Sequence, residues 1–297
     1  MARLFLKGTL YFEVSVRHLV VDEADLLMEL GFIEQIDTIL VHCTNTTIRK
    51  YLFSATIPSG VETLANTIMT SPIRIQVGQK NSSPEQIQQS LVYVGEESGK
   101  LIAIRQQIQQ GIKPPVLIFV QSIERAKDLF SELVYDGINV DVIHGERTQS
   151  QRDSIVMNFR SGKIWVLIST ELMSRGVDFK GVSLVINYDF PQTSASYIHR
   201  IGRTGRNHNE GKAVTFFTKD DTVYLKSVVN VMMESGSFVE EWMQKMARPG
   251  KNDKKNLKRM PIRRDDISTV SKYDINKAEK KTQMVEGSKR RKLAISN

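Results

Sequence analysis

The sequence predicts an α/β protein in which parallel sheets form two domains, followed by a basic tail. Short runs of β-branched residues alternate with amphipathic segments of helical length, which is the pattern that βαβ crossovers produce. The length of 297 residues corresponds to about two domains of roughly 150 residues each. Positive charge is concentrated at the end of the chain: residues 247–297 hold 16 Lys and Arg against 6 Asp and Glu, whereas residues 1–246 hold 25 against 27.

The predicted strands are short apolar runs of the length expected for buried strands. In chain order they are His18–Asp22, Tyr51–Ser54, Ile73–Val77, Ser90–Val94, Val116–Val120, Val140–Ile143, Trp165–Ser169, Leu184–Asn187 and Ala213–Phe217. The predicted helices fill most of the gaps between them. They are Ile33–Val41, Ser59–Met69, Gly99–Gln110, Ile123–Tyr135, Gln149–Arg160, Ser194–Arg200 and Asp221–Ser235. Because single helices separate most strands, we expect sheets that are buried on both faces.

A polar, turn-rich stretch, GQKNSSPEQIQQ at residues 78–89, predicts a linker between two domains. Residues 90–246 contain six predicted strands, which is enough for a complete α/β domain. Residues 1–77 contain only three, too few to cover both faces of a parallel sheet, so we expect them to be part of a larger domain. The tail then comprises residues 247–297.

The composition excludes several classes of protein. A content of 40% hydrophobic and 25% charged residues is typical of soluble globular domains. The single cysteine, Cys43, excludes an internal disulfide, and no Cys/His pair has zinc spacing, so we expect a reducing intracellular compartment. No apolar run approaches the roughly 18 residues of a membrane span, so no membrane partner is expected.

The tail contains few large apolar residues and no sustained helical pattern, which predicts disorder. Its basic runs have three possible roles that the sequence leaves open. They are a polyanion-binding arm, a nuclear import signal at residues 289–292, and a solubilising tail.

The first motif with chemical potential is HLVVDEAD, residues 18–25, an apolar strand that ends in acids. A carboxylate at the carboxyl end of a parallel strand lies where α/β sheets bind ligands. Asp22 can hold Mg²⁺ through its waters, and Glu23 can orient and deprotonate an attacking water. The alternative is a solvated loop that carries three acids.

The second motif is Ser54-Ala55-Thr56, directly after a predicted strand. Its two hydroxyl groups can bind a neighbouring acid, or they can cap the helix predicted to begin after Pro58. The sequence leaves both alternatives open.

The third motif is HRIGRTGR, residues 199–206. At helical spacing, His199, Arg203 and Arg206 would point to roughly the same side. Guanidinium groups suit phosphate oxygens, and Gly202 and Gly205 leave room for close approach by a phosphate or another surface. The alternative is a helix that pairs its arginines with surface carboxylates.

Seven motifs occur together in a fixed order. They are DEAD (22–25), SAT (54–56), VLIFVQS (116–122), QSQR (149–152), RGVD (175–178), VINYDFP (185–191) and HRIGRTGR (199–206). In this set the chain resembles the second half of the DEAD-box RNA helicases, over roughly residues 9–242, as an N-terminally truncated member. The stretches KIWVLIST...RGVDFKGVSLVINYDFP and PPVLIFVQSIERAKDLF are similar to the branch that acts on small-subunit ribosomal RNA precursors in the nucleolus.

The resemblance implies two RecA-like parallel-sheet domains, the first only partial. It implies ATP-dependent RNA strand separation in ribosomal RNA processing, with ATP and Mg²⁺ as cofactors. It also implies pre-ribosomal RNA and pre-ribosomal proteins as partners, a monomer, and a nuclear, nucleolar location.

The resemblance further implies roles in ATP hydrolysis for individual residues. Asp22 and Glu23 match the acids that organise Mg²⁺ and activate water. Arg203 and Arg206 match the arginine fingers that contact the γ-phosphate.

Other residues match positions that bind ATP, couple the two domains or contact RNA. Gly176 and Asp178 lie in an ATP-binding motif, where Asp178 matches the acid that holds the ribose. The coupling residues are Asp25, Ser54, Thr56 and His199, of which His199 links back to the first domain. The matched contacts to the RNA backbone are Gln149, Arg152 and Thr170.

The chain departs from this family at two points. It has Thr170-Glu171 where the family has Thr-Asp, which alters local RNA or interdomain contacts. It also lacks a phosphate-binding loop of the form G-x-x-x-x-G-K-[ST], because the Gly-Lys pairs at 99, 162, 211 and 250 are followed by Leu, Ile, Ala and Asn. We therefore expect no ATP turnover from these 297 residues alone.

Two function classes remain open from the sequence. The first is an RNA helicase by family, and the second is a non-catalytic RNA-binding or partner-binding fragment. A DNA helicase is disfavoured by DEAD together with HRIGRTGR.

Overall fold

The computed structural model describes residues 16–29, 31–77, 86–171, 179, 181–206, 210–247, 250, 262, 264 and 267. The chain forms two compact units. The first comprises Met1–Gln88, Pro191–Gly202 and Tyr224–Arg248, and the second comprises Gln89–Phe190, Arg203–Val223 and Pro249–Asn297. The sequence instead assigns residues 90–246 to one continuous domain. The difference concerns two segments that make most of their contacts with the first unit.

The first unit contains a two-stranded parallel sheet. Strand β1 (His18–Val21) pairs with β2 (Arg49–Leu52), with His18 opposite Arg49. Helices α1 (Ala24–Glu29), α2 (Ile33–Val41) and α3 (Ser59–Ile68) belong to the same unit. Its core consists of residues from one strand and all three helices: Val21, Ala24, Ile36, Val61, Leu64 and Ile68. The later helices α7 (Ser194–Ile201) and α9 (Glu241–Gln244) also belong to the first unit, as does α8 (Thr222–Glu234) from Tyr224 onward.

The strand predicted over Ile73–Val77 is wrong. This segment has no strand pairing, and Ile73, Ile75 and Val77 are 91%, 83% and 92% exposed. The alternation in IRIQV has the period of a strand, but a strand also requires a neighbour for its backbone hydrogen bonds. Among the described residues of the first unit, none provides that neighbour.

The second unit is built around a six-stranded sheet in the order β3-β8-β7-β4-β6-β5. In chain order its strands are β3 (Ile87–Tyr93), β4 (Val116–Val120), β5 (Val140–Ile143), β6 (Val166–Thr170), β7 (Leu184–Asn187) and β8 (Gly211–Phe217). The helices between them are α4 (Glu97–Gln109), α5 (Ile123–Tyr135) and α6 (Gln149–Arg160). The recorded pairs β4–β6, β4–β7, β5–β6 and β7–β8 are all parallel, as predicted.

The central strands of this sheet are buried along their whole length, since β4, β6 and β7 expose no residue. Along β4, Val116, Ile118 and Val120 pack in one core, whereas Leu117 and Phe119 pack in another. This alternation places a core on each face of the sheet. The predicted fold class, α/β with parallel sheets, is confirmed, and the sheet of the second unit is buried on both faces.

None of the described helices is long and apolar enough to span a membrane. The predicted tail lies largely outside the described residues. Within it, however, the structure describes Arg264, whose side chain is 2% exposed, and Ile267, which is 8% exposed and joins a core of the second unit. The sequence did not predict this packing.

Candidate functional site

A sharp turn connects β1 to α1 and presents the acids of the DEAD motif. Glu23 has a φ of +50°, in the left-handed region, which costs a non-glycine residue on the order of 1–3 kcal/mol. Its N–H donates to Asp22 Oδ1 at 2.9 Å, and the Ala24 N–H donates to the Phe53 carbonyl at 3.0 Å. These bonds hold the turn, and they leave Asp22 exposed and the Glu23 side chain 38% exposed.

Asp25 lies one step further on, at the start of α1, and is 5% exposed. Its Oδ2 accepts hydrogen bonds from Thr56 Oγ1 at 2.5 Å and from the Thr56 N–H at 3.2 Å. The Asp25 N–H donates to Ser54 Oγ at 3.2 Å, and Ser54 Oγ donates to the Thr56 carbonyl at 2.6 Å. Of the two alternatives for the SAT motif, the structure therefore has the bond to a neighbouring acid. Helix α3 begins after Pro58 without a side-chain cap.

His199, on α7, completes this cluster within the first unit. Its Nε2 lies 3.1 Å from Asp25 Oδ2 and 3.8 Å from Glu23 Oε2. Burial by itself would raise the pKa of Asp25. Hydrogen bonds from His199 and Thr56 outweigh that effect and hold the pKa of this carboxyl well below its usual range. Asp25 is therefore a permanent anion near neutral pH.

The cluster of Glu23, Asp25 and His199 and the neighbouring acid Asp22 differ in how well they suit a metal ion. Ligand atoms of Glu23, Asp25 and His199 lie within 4.8 Å of one another. Mg²⁺ prefers oxygen ligands and retains several of its waters, so imidazole and the fully hydrogen-bonded Asp25 fit it poorly. The carboxylate of Asp22 is exposed, and its predicted water-mediated contact with Mg²⁺ stays a prediction.

The prediction that His199, Arg203 and Arg206 follow one another at helical spacing on one helix is wrong. Helix α7 ends at Ile201, with Gly202 as its C-cap, so both arginines lie in the turn that follows. Arg203 is 7% exposed and Arg206 is exposed, and both belong to the second unit. Their predicted contact with a γ-phosphate stays a prediction.

The glycines of this turn serve the packing of the chain itself. Gly205 has a φ of +67°. A Cβ at Gly211, the first residue of β8, would lie 2.4 Å from the Gly205 backbone nitrogen and 2.5 Å from Thr204 Oγ1. Thr204 Oγ1 also donates to the Val182 carbonyl at 2.6 Å. Gly211 is thus a constrained residue that no sequence motif indicated.

The residues predicted to contact RNA lie at two places in the second unit. Gln149 and Arg152 lie three residues apart in the first turn of α6, which begins with a capping box between Thr148 and Gln151. Gln149 is exposed and donates to Asp153 at 2.8 Å. Thr170 ends β6 and is 9% exposed. Their role toward RNA stays a prediction, and Gly176 and Asp178 lie outside the described residues.

Loss of the Thr56 hydroxyl should weaken the buried cluster around Asp25. We expect Thr56→Val to lower the free energy of unfolding by about 1.5–3 kcal/mol at pH 7, because a hydrogen bond to a buried carboxylate is lost. The depressed pKa of Asp25 gives stability that is present above its unfolded pKa and lost as pH falls through its folded pKa. The substitution raises that folded pKa, so acid unfolding should begin at higher pH.

Urea unfolding at pH 7 and at steps down to pH 3 measures both effects. Thr63→Val is the matched control, since Thr63 Oγ1 donates to Ser59 on the exposed side of α3. Equal losses in the two variants would contradict a special role for Thr56.

Comparisons with known proteins agree with this geometry. A model of the DEAD/DEAH box helicase family matches residues 6–64, and a model of the helicase conserved C-terminal domain matches residues 99–208. The chain is 56% identical over 281 residues to ATP-dependent RNA helicase ROK1 of Scheffersomyces stipitis, over 94% of this chain and 50% of that protein. It is 51% identical over 283 residues to the probable ATP-dependent RNA helicase DDX52 of Bos taurus, over 94% and 48%. The chain thus spans about half the length of these relatives.

Two solved structures share the fold. Saccharomyces cerevisiae Dbp5 bound to RNA and ADP BeF3 has a TM-score of 0.71 at 25% identity, over 87% of this chain and 66% of that one. Mss116p bound to ssRNA and AMP-PNP has a TM-score of 0.69 at 28% identity, over 82% and 52%. These matches confirm the RecA-like architecture. With its DEAD turn, its SAT contacts and the two matching family models, the chain belongs to the DEAD-box RNA helicase family.

Proposed function

We propose that this chain is part of an enzyme that uses ATP hydrolysis to separate RNA strands. The observation that carries the proposal is the arrangement at the end of β1. A strained turn presents Glu23 to solvent, while the next acid, Asp25, is buried and bound to Thr56 and His199. Strain at a single exposed acid is typical of a catalytic position.

Each acid in this turn has its own proposed task. Mg²⁺, held by Asp22 through water, neutralises charge on the phosphates when it is bound. Glu23 orients the attacking water and accepts its proton. Asp25 is less suited to that chemistry, since it is buried, its oxygens accept hydrogen bonds from Leu26 and Thr56, and His199 Nε2 lies 3.1 Å from Oδ2. Its task is to position the SAT segment and α7.

We also propose roles for the residues of the second unit. Arg203 and Arg206 bind the γ-phosphate, where a guanidinium suits the charge that develops on the oxygens. Gln149, Arg152 and Thr170 contact the RNA backbone, and Asp178 contacts the ribose of ATP. Contacts to the backbone do not read sequence, which suits an enzyme that acts on many RNA segments.

The finer proposal is a role in processing small-subunit ribosomal RNA precursors in the nucleolus. Its support is the likeness of residues 163–191 and 114–130 to that branch, together with the basic segment at residues 289–292, a candidate nuclear import signal. Pre-ribosomal RNA and proteins would be the partners. Expression of a fluorescent fusion with and without residues 289–292 tests the location, and a cytoplasmic signal for both would contradict it.

We expect the 297-residue chain to show no RNA-stimulated ATP turnover, because its sequence has no G-x-x-x-x-G-K-[ST] loop. A chimera that joins the preceding half of Scheffersomyces stipitis ROK1 to this chain should hydrolyse ATP and respond to RNA. The measurement is phosphate release at saturating ATP, with and without single-stranded RNA.

The outcomes separate the two candidate functions. A folded chimera that binds ATP and shows no RNA-stimulated turnover would contradict the helicase proposal. If the chain alone then binds RNA, the non-catalytic RNA-binding function is supported instead. Turnover by the chain alone would contradict the expectation from its missing loop.

A further inference from the structure

A buried group of charges lies at one edge of the sheet of the second unit. We call it the acidic socket, and its carboxylates are Glu97, Asp189 and Asp221. Asp189 and Asp221 side chains are fully buried, and Glu97 is 21% exposed. Because β8, β7 and β4 are parallel neighbours, the residues that follow them meet at one edge of the sheet. Gln121 directly follows β4, and Asp189 and Asp221 lie in the loops after β7 and β8.

Two cations of the folded unit neutralise part of this socket. Arg125 donates to both oxygens of Asp189, from Nε at 2.7 Å and from Nη2 at 2.6 Å. Lys100 Nζ lies 3.1 Å from Asp189 and 2.9 Å from Glu97. The Gln121 N–H also donates to Asp189, at 2.8 Å. Asp189 is therefore fully paired without the C-terminal segment.

Among the described residues of the range 86–221, the charges in the socket do not balance. Glu97, Asp189 and Asp221 are three carboxylates, whereas Lys100 and Arg125 are two cations. Asp221 uses Oδ2 to accept bonds from the Thr218 N–H and hydroxyl, both at 2.9 Å, and its Oδ1 faces the socket. A buried, unpaired carboxylate is costly, so this site favours one more cation.

Arg264 supplies that cation from a segment more than 40 residues further along the chain. Its Nη2 lies 2.6 Å from Asp221 Oδ1, its Nη1 lies 2.6 Å from Glu97 Oε1, and its Nε donates to Gln121 Oε1 at 2.9 Å. All three nitrogens of the guanidinium thus have an acceptor. The planar guanidinium of an arginine can donate to all three acceptors at once, whereas the single side-chain nitrogen of a lysine cannot reach all of them.

A second contact anchors the same segment. Ile267 is 8% exposed and joins the core that includes Leu101, Leu129 and Val116, and its N–H donates to Asp128 at 3.4 Å. Arg264 and Ile267 therefore present one charged and one apolar group, three residues apart, to adjacent sites on the second unit. Burial would lower the pKa of Arg264, but Asp189 and Asp221 raise it, so the group remains charged.

We propose that the acidic socket is a binding site for an Arg-x-x-Ile segment, and that its occupants are the chain's own Arg264 and Ile267. In this proposal the segment is a structural part of the second unit and not a free RNA-binding arm. Through Gln121, Glu97 and Asp221 it ties together the end of β4, the start of α4 and the loop after β8. The inference does not depend on the helicase activity.

Thermal unfolding of the full chain tests the socket. We expect Arg264→Ala to lower the melting temperature by roughly 10 °C, because it leaves a buried carboxylate without its cation. Arg263→Ala is the matched control, since it removes the same charge from the neighbouring position of the sequence. Arg264→Lys should fall between the two, because it restores the charge without the fork.

A double-mutant cycle with Asp221→Asn distinguishes pairing from general damage. If the two side chains interact, Arg264→Ala should cost much less in the Asp221→Asn background than in the wild-type chain. Ile267→Ala gives an independent measure of the apolar contact, with an expected loss of several degrees. Equal melting temperatures for Arg264→Ala and Arg263→Ala, or additive losses in the cycle, would overturn the proposal.

Discussion

Asp189→Asn is expected to lower the free energy of unfolding of the second unit by about 3–5 kcal/mol. The substitution keeps the shape of the side chain and removes the charge that Arg125 and Lys100 share. Both cations are buried, since Lys100 is 0% and Arg125 5% exposed, so water does not replace the lost partner. The new amide also places a donor next to a guanidinium that needs an acceptor.

The loss of stability caused by Asp189→Asn should become smaller at low pH. Burial alone would raise the pKa of Asp189, but Lys100, Arg125 and Arg264 together hold it below the usual range. The resulting stability is present above the unfolded pKa, about 3.9, and is lost as pH falls through the folded pKa. The gap between wild type and Asp189→Asn should therefore narrow below about pH 4.

Urea unfolding followed at several pH values measures both parts of this prediction. Asp220→Asn is the control, because Asp220 is exposed and lies beside the buried Asp221 in the sequence. A loss that matches the control would contradict the buried-charge argument. A gap that stays constant from pH 7 to pH 3 would show that Asp189 is not the titrating group.

The second unit could be predicted well from the sequence because its elements are locally specified. Strand β4 is an unbroken apolar run, and its predicted bounds, Val116–Val120, match the structure. Helix α6 matches its predicted bounds, Gln149–Arg160, since Thr148 and Gln151 form a capping box. Helix α1 was missed, because six residues are too few to display a helical period. Ile73–Val77 alternates with the period of a strand but pairs with no other strand. Periodicity alone cannot show whether a partner strand is available.

The candidate site could be predicted in its residues but not in its contacts. The motifs identified Asp25, Thr56 and His199 as candidates. Thr56 and His199 lie 31 and 174 positions after Asp25, and these separations do not show that both contact the Asp25 carboxylate. Arg203 and Arg206 were given helical spacing, but α7 ends before them, with Gly202 as its C-cap. The spacing of residues along the sequence does not show where a helix ends. Arg264 was predicted to be part of a disordered basic tail, because composition describes only the average of a segment. Whether a single arginine is buried depends on the carboxylates that face it in the fold, and the sequence does not show these.

Glu23→Gln is expected to reduce the ATP turnover number of the chimera with ROK1 by on the order of 10²–10⁴-fold. Glutamine keeps the size and the position of the side chain but cannot accept the proton of the attacking water. ATP binding should persist, because the substitution leaves Asp22 and the strained turn in place. Stability should change little, since the Glu23 side chain is 38% exposed and its Oε2 lies 3.8 Å from His199 Nε2.

The control for this prediction is Glu34→Gln, which changes an exposed acid in the first turn of α2, outside the DEAD motif. Single-turnover hydrolysis with RNA, together with ATP binding and thermal unfolding for each variant, separates chemistry from binding and folding. Turnover within a few-fold of the parent, with ATP binding unchanged, would remove Glu23 from the role of base. The exposed Asp22 would then be the acid to test, because Asp25 is buried and its Oδ2 already contacts Thr56 and His199.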